Sequence, residues 1–156
     1  MKLGEIVVEG AIISELRATE RDEVITEMID ALVAAGVADG AARSELIAAV
    51  LERESKGTTG FGRGVAVPHV KHRSVSRLAA GIALSPRGID FSSMDKQPVY
   101  SVFLLLSPDN RPEEHLQAME VIFRNLSKET FRRFLRQAGS GDDVRQLIED
   151  ADNQAI

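Results

Sequence analysis

Apolar residues recur along this chain in two rhythms, and the rhythms alternate. Val24, Ile25, Met28, Ile29, Leu32 and Val33 fall at i, i+4 and i+8, the stripe of a helix over about 20–36 that buries one face. Thr19 offers it an N-cap and Gly36 a C-terminal stop. A second helix is expected over about 41–55, capped by Asp39 and buried through Leu46, Ile47, Val50 and Leu51. A third, over about 112–126, has Pro112 in its first turn and Leu116, Met119, Ile122, Phe123 and Leu126 on its core face. Two shorter helices follow, around 128–138 and 142–149.

The other rhythm is continuous. Leu78–Leu84 and Val99–Leu106 are nearly unbroken apolar runs of strand length, as in a sheet covered on both faces. Between them Pro86-Arg87-Gly88-Ile89-Asp90-Phe91 reads as a turn. Residues 5–16 read as short strand or coil segments around Gly10, and Val65-Ala66-Val67 as a short strand stopped by Pro68. Interspersed helices and strands in one unit make the class α/β. The expected organisation is a single domain over 1–150 and a frayed C-terminal tail, 151–156.

Composition narrows the function. At 156 residues the chain can bury a core without disulfide or metal staples. Apolar residues at 44% and charged residues at 28% exclude a disordered chain, and no apolar run is long enough for membrane insertion. A net charge of −5 argues against nucleic acid as a partner. With no Cys there is no thiolate metal site and no thiol nucleophile. Residues 1–5 open onto no secretory signal, so a cytoplasmic location is expected.

Candidate chemistry is confined to a few positions. The segment Gly57-Thr58-Thr59-Gly60-Phe61-Gly62-Arg63-Gly64 invites a phosphate-binding reading. It lacks the Gly-Lys-Ser/Thr ending of a P-loop, and it follows a helix rather than entering one. It reads equally well as a flexible connector. His69 and His72 form too small a ligand set for zinc, so no metal is expected. His69, placed after Pro68 where the chain is expected to turn, is either a surface-loop residue or a reacting group presented at a strand end. His115 borders the apolar stripe of the 112–126 helix, as a packing residue or facing inward toward a second polar group. Arg53 suits the C-terminal end of its helix electrostatically, and its neighbours Glu52 and Glu54 fit a solvated face.

Together these segments resemble one family. Leu51-Glu52-Arg53-Glu54-Ser55, Gly57-Thr58-Thr59-Gly60-Phe61-Gly62 and Gly64-Val65-Ala66-Val67-Pro68-His69 are followed by Gln97-Pro98-Val99 and Glu114-His115-Leu116. In this order and spacing they resemble the EIIA domains of the phosphotransferase system (PTS), fructose/mannitol class, which includes the nitrogen-regulatory (Ntr) type. The resemblance covers roughly 5–150.

It implies a mixed, mostly parallel β-sheet flanked by helices on both faces, and a histidine phosphocarrier. His69 matches the histidine phosphorylated on Nε2, His115 the second active-site histidine, and Arg53 the arginine that offers charge to the phosphate. Thr59 falls in the adjoining loop as a candidate phosphate-binding hydroxyl. The implied donor is an HPr-like phosphocarrier protein, with no cofactor. The implied output is regulatory, through a target protein. The alternatives are delivery to a separate EIIB for sugar uptake, and an EIIA-like binding module without phosphotransfer. Val70 departs from the pattern, standing where Gly is common and restricting the expected loop, while Arg63 and Arg73 are expected to add charge around His69.

Overall fold

The longest strands are those drawn from the continuous apolar runs, and everything else packs on them. The computed structural model describes residues 1–154 of the chain. In chain order it contains α1 (Leu3–Ile6), β1 (Val7–Ile13), α2 (Arg21–Ala34), a 3₁₀ turn (Gly40–Ala42) and α3 (Arg43–Lys56). There follow β2 (Gly60–Gly62), β3 (Val65–Ala66), β4 (His69–His72), β5 (Ala79–Ile89) and β6 (Val99–Pro108). Three helices close the described chain: α4 (Pro112–Leu126), α5 (Glu129–Gln137) and α6 (Gly141–Asp152).

The sheet order is β1-β5-β6-β3-β2, with β4 also paired to β6. β1/β5, β3/β6 and β4/β6 are parallel, while β5/β6 and β2/β3 are antiparallel. The mixed, mostly parallel sheet carries helices on both faces, as the α/β reading anticipated.

Alternation along β6 divides the core in two. Val102, Leu104 and Leu106 point into a cluster with α2 and α3, and Phe103 and Leu105 into one with α4, α5 and α6. Each such fully buried side chain contributes about 1.5–3 kcal/mol relative to exposure. The same alternation places the candidate residues. On the β3–β4 segment, Ala66 and Val70 face the α2/α3 side, whereas Val65 and Val67 face the α4 side. His69 shares the parity of Val65 and Val67.

Several local expectations change. β3 ends at Ala66, just before Pro68, as expected, but a further strand, β4, follows at once from His69. Val65 pairs with Ser101, and His69 with Leu105, at the same offset on either side of Pro68, whose carbonyl accepts from the Leu105 N–H at 3.0 Å. Proline removes a donor from the ladder but leaves its acceptor, so pairing with β6 resumes at His69 in place of the expected turn. Val70 sits in that regular strand opposite Leu106, where a β-branched residue suits the backbone better than glycine. Residues 86–89 are not a turn: β5 runs through them, with a register shift between Leu84 and Ile89 and Gly88 at φ +83°.

The ends of elements differ too. Thr19 does not cap α2; Glu20 occupies that position without a side-chain bond. The preceding loop is held instead by the Glu27 carboxylate, which accepts from the N–H groups of Arg17 and Ala18. Asp39 caps the 3₁₀ turn that leads into α3. Residues 3–6 form a helical turn, so the first strand begins at Val7. At the other end α6 continues through Asp152, past the start of the expected frayed tail. The Asp152 carboxylate accepts from the Leu3 and Gly4 N–H groups at 2.9 and 2.8 Å, tying the termini together. The last two residues of that tail, 155 and 156, lie outside the described residues.

Candidate functional site

His69 and His115 reach each other from opposite elements. His69 begins β4, and His115 stands in the first turn of α4, which follows directly from the end of β6. Their ring centroids are 5.6 Å apart with the planes inclined at 49°. Both rings are partly buried. This is the arrangement that spacing alone left open for His115, and it points inward.

Each ring is held through Nδ1. His69 Nδ1 lies 2.8 Å from the carbonyl oxygen of Val67. A carbonyl can only accept, so Nδ1 carries the proton and Nε2 of the neutral ring carries the lone pair. His115 Nδ1 lies 2.6 Å from the hydroxyl of Ser107, a fully buried residue near the end of β6. With that hydroxyl donating, Nε2 of His115 becomes the protonated nitrogen and a donor. Among the described residues neither Nε2 has a protein hydrogen-bond partner.

The surroundings keep both rings neutral. The His69 pKa is lowered, first by burial, which the Val67 hydrogen bond opposes. The positive charges of Arg53 and Lys71 lower it further, while Glu54 raises it. The His115 pKa is pushed down to about 4 by burial, then by His69 and Lys71. The site therefore pairs two uncharged imidazoles beside the cations Arg53 and Lys71.

Arg53 arrives from the C-terminal turn of α3. One of its guanidinium nitrogens donates to the carbonyl of Gly57 at 3.0 Å, which leaves most of its N–H groups available. Thr59 is close in sequence, yet its hydroxyl is engaged elsewhere. It is fully buried and donates to Glu54 Oε1 at 2.6 Å, while its backbone N–H donates to Glu54 Oε2 at 2.8 Å. The one proton it could offer a phosphate is thus already given to Glu54.

Glu54 itself corrects the solvated-face reading: it is 3% exposed. Its position on α3 carries a signal, because Glu54 falls four residues after the buried Val50 on the core stripe. Ser107 carried no such signal, since a serine in an apolar strand looks the same whatever it faces.

The glycine segment is a β2–β3 hairpin rather than a loose connector. A Cβ on Gly60 would lie 2.4 Å from Ser93 Oγ and 3.2 Å from Phe91 Cβ, so only glycine fits. Gly62 adopts φ +104°, which side chains rarely tolerate.

Other candidates separate from the site. His72 faces the opposite side of β4 from His69: its Nε2 lies 3.3 Å from Glu45 on α3, and its Nδ1 bonds the Ser74 hydroxyl. Two residues on opposite faces of one strand cannot share an ion. Among the described residues no group of three or more His, Cys, Asp or Glu is placed to hold a metal. Arg73 pairs with Glu45 at 2.6 Å, and Arg63 sits at the hairpin tip beside Tyr100 and Asp95. Both arginines are thus engaged elsewhere, and the charges that act on His69 are those of Arg53, Glu54 and Lys71.

The model of the phosphoenolpyruvate-dependent sugar phosphotransferase system EIIA 2 family matches residues 5–151 of the chain. The chain belongs to this family. Among its relatives is the nitrogen regulatory protein of Bradyrhizobium diazoefficiens, 35% identical over 150 residues that cover 95% of each chain. The fructose-specific EIIABC component of Bacillus subtilis is 34% identical over 152 residues, 97% of this chain; the chain spans only 24% of that relative's length. Among solved structures, the nitrogen regulatory protein IIA-Ntr of Neisseria meningitidis superposes with a TM-score of 0.83 at 25% identity, covering 94% of this chain and 98% of that one. This EIIA domain thus resembles both regulatory and sugar-transport members. No helix among its described residues is long and apolar enough to cross a membrane.

Proposed function

We propose that this EIIA domain is a phosphocarrier that takes a phosphoryl group from an HPr-like protein onto Nε2 of His69. The observation that carries the reading is the Val67 carbonyl on His69 Nδ1, which fixes the tautomer with its lone pair on Nε2 beside His115. In the transfer, the P–N bond to the donor's histidine breaks and its electron pair returns to that nitrogen. The lone pair of His69 Nε2 forms the new P–N bond, and the proton stays on Nδ1, donated to the Val67 carbonyl. No general base is needed, since a neutral imidazole is already a nucleophile.

Transfer of this kind depends mostly on in-line positioning and on charge placed at the peripheral oxygens. Arg53 supplies planar donors and a fixed charge. His115, anchored by Ser107, supplies an N–H. Lys71 adds a mobile charge from the exposed face of β4. Thr59 contributes by ordering the loop with Glu54 rather than by touching phosphate. The open, partly buried position of both histidines suits a reacting side chain that arrives on another protein. The domain works in the cytoplasm, where such donors are found, and requires no cofactor.

The output is regulatory in this reading: phosphorylation at His69 changes which target protein the surrounding surface binds. Its support is the near end-to-end match to a free-standing nitrogen regulatory protein. The match to a fructose-specific component favours a second reading, delivery to a separate EIIB.

The test is phosphorylation by phosphoenolpyruvate, enzyme I and HPr, followed by intact mass, with His69→Ala alongside. The expected result is one added phosphoryl group, absent in the variant. Equal labelling of His69→Ala would overturn the assignment of His69. Passage of the label to purified fructose-type EIIB would decide for transport over regulation.

A further inference from the structure

An acidic chain, net −5, gathers four arginines around one cavity remote from His69. The cavity, about 750 Å³, lies between the tip of the β2–β3 hairpin and α5. Arg63 comes from the hairpin, and Arg132, Arg133 and Arg136 come from α5. Val65 on its wall is four residues before His69 in the same extended segment, a separation of roughly 13 Å at the rise of a strand.

Arg132 gives one N–H to the Leu126 carbonyl at 2.8 Å, and three features leave the charge of the four otherwise uncompensated. No ion pair among the described residues involves any of the four. Arg132 and Arg136 stand at i, i+4, and Arg133 and Arg136 at i, i+3, spacings at which like charges weaken a helix. Arg63 holds φ +60° between two glycines of positive φ, where a side chain is unfavourable and glycine or asparagine is the usual choice.

The cavity also orients one of them. The Arg136 guanidinium carbon lies over the Tyr100 ring, 3.6 Å from its centre, a cation–π contact that anchors the group while its N–H groups remain available. The acidic groups on the wall are Asp95 and Glu129. Asp95 is turned to the backbone, accepting from the N–H groups of Arg63 and Gln97 at 2.9 and 3.0 Å. A negative ligand therefore meets mainly guanidinium, in a space of ordinary small-molecule size.

We propose that this cavity is a second anion site that binds a small metabolite bearing two phosphoryl groups, independently of the phosphocarrier chemistry. Four guanidinia spread over a cavity this wide exceed what one phosphate can engage, and planar forks match phosphoryl oxygens in pairs. Arg63, Arg133 and Arg136, the last on its Tyr100 platform, provide the exposed rim; the half-buried Arg132 provides the inner wall.

The experiment titrates the unphosphorylated protein with inorganic pyrophosphate while amide chemical shifts are recorded, with inorganic phosphate at matched ionic strength as comparison. Saturable shifts are expected at Gly64, Tyr100 and Arg136, tighter for pyrophosphate than for phosphate. Arg136→Ala should weaken binding about tenfold, the loss expected for one charge-assisted contact. Both Arg133 and Arg136 are exposed, so Arg133→Ala, Arg136→Ala and their combination leave the fold intact. His69→Ala should bind pyrophosphate as the parent does. Absence of saturation at millimolar pyrophosphate overturns the proposal. So do shifts centred on His69 and His115 that vanish in His69→Ala, because the anion would then occupy the phosphocarrier site.

Discussion

Removing the Glu54 carboxylate should destabilise this domain through Thr59, and the size of the effect can be worked from four atoms. Glu54 Oε2 and Oε1 accept from the N–H and O–H of Thr59 at 2.8 and 2.6 Å, and both residues are buried. In Glu54→Ala both donors lose their partner. An unsatisfied buried donor costs about 1–3 kcal/mol, so the pair costs about 2–6 kcal/mol. Against that, the variant no longer desolvates a carboxylate, which returns part of the cost. A net loss of about 3 kcal/mol is expected. Glu54→Gln keeps the shape but turns an NH₂ group toward one of the two donors, and should lose about 1–2 kcal/mol. Urea unfolding followed by far-ultraviolet circular dichroism measures both, with an unchanged m-value required. Thr59→Val completes a double-mutant cycle, and coupling of about 1 kcal/mol or more is expected for groups in direct contact. If Glu54→Ala and Glu54→Gln both lie within about 0.5 kcal/mol of the parent, as for an ordinary surface change, the claim that this pair orders the loop is refuted.

Other outcomes follow from the site. Arg53→Lys keeps the charge but loses the planar fork, and should slow phosphorylation of His69 by tenfold or more; an unchanged rate in quenched-flow labelling would remove Arg53 from the transfer step. His115→Ala should slow transfer about 10²-fold, as loss of one preorganised donor does, while still yielding phosphorylated protein. Ser107→Ala should give a smaller loss, because it frees the ring without removing it; a loss equal to that of His115→Ala would mean that the serine acts directly. The His115 pKa, about 4 against 6.5 unfolded, means that the unfolded chain binds more protons between those values. The stabilisation is complete above about 6.5 and is lost as the pH falls toward 4, so midpoints of unfolding should decline over that window. His115→Gln should flatten the decline, and an identical slope in that variant would assign it to other groups.

How much of this could be read from the chain depended on range. The apolar rhythms revealed α2, α3, α4, β5 and β6, because periodic burial is a local property and each element repeats it several times. Single residues misled where one bond partner decides. Pro68 promised a turn, yet its carbonyl accepts from the Leu105 N–H and pairing with β6 resumes at His69. Pro86 and Gly88 suggested a turn, and the sheet absorbed them as a bulge in β5.

The sequence by itself determined the class of the fold, its family, and the three residues His69, His115 and Arg53 as candidates, since motif and order are properties of the chain. Only the tertiary structure decided which nitrogen of His69 is free, because that rests on the Val67 carbonyl and on the pairing of β4 with β6 after Pro68. It alone showed Glu54 and Thr59 bound to each other in the interior and Ser107 behind His115. It also carried Arg63 away from His69 to the arginines of α5. The physical reason is common to all of these: whether a polar group is free, paired or charged depends on neighbours brought from distant parts of the chain.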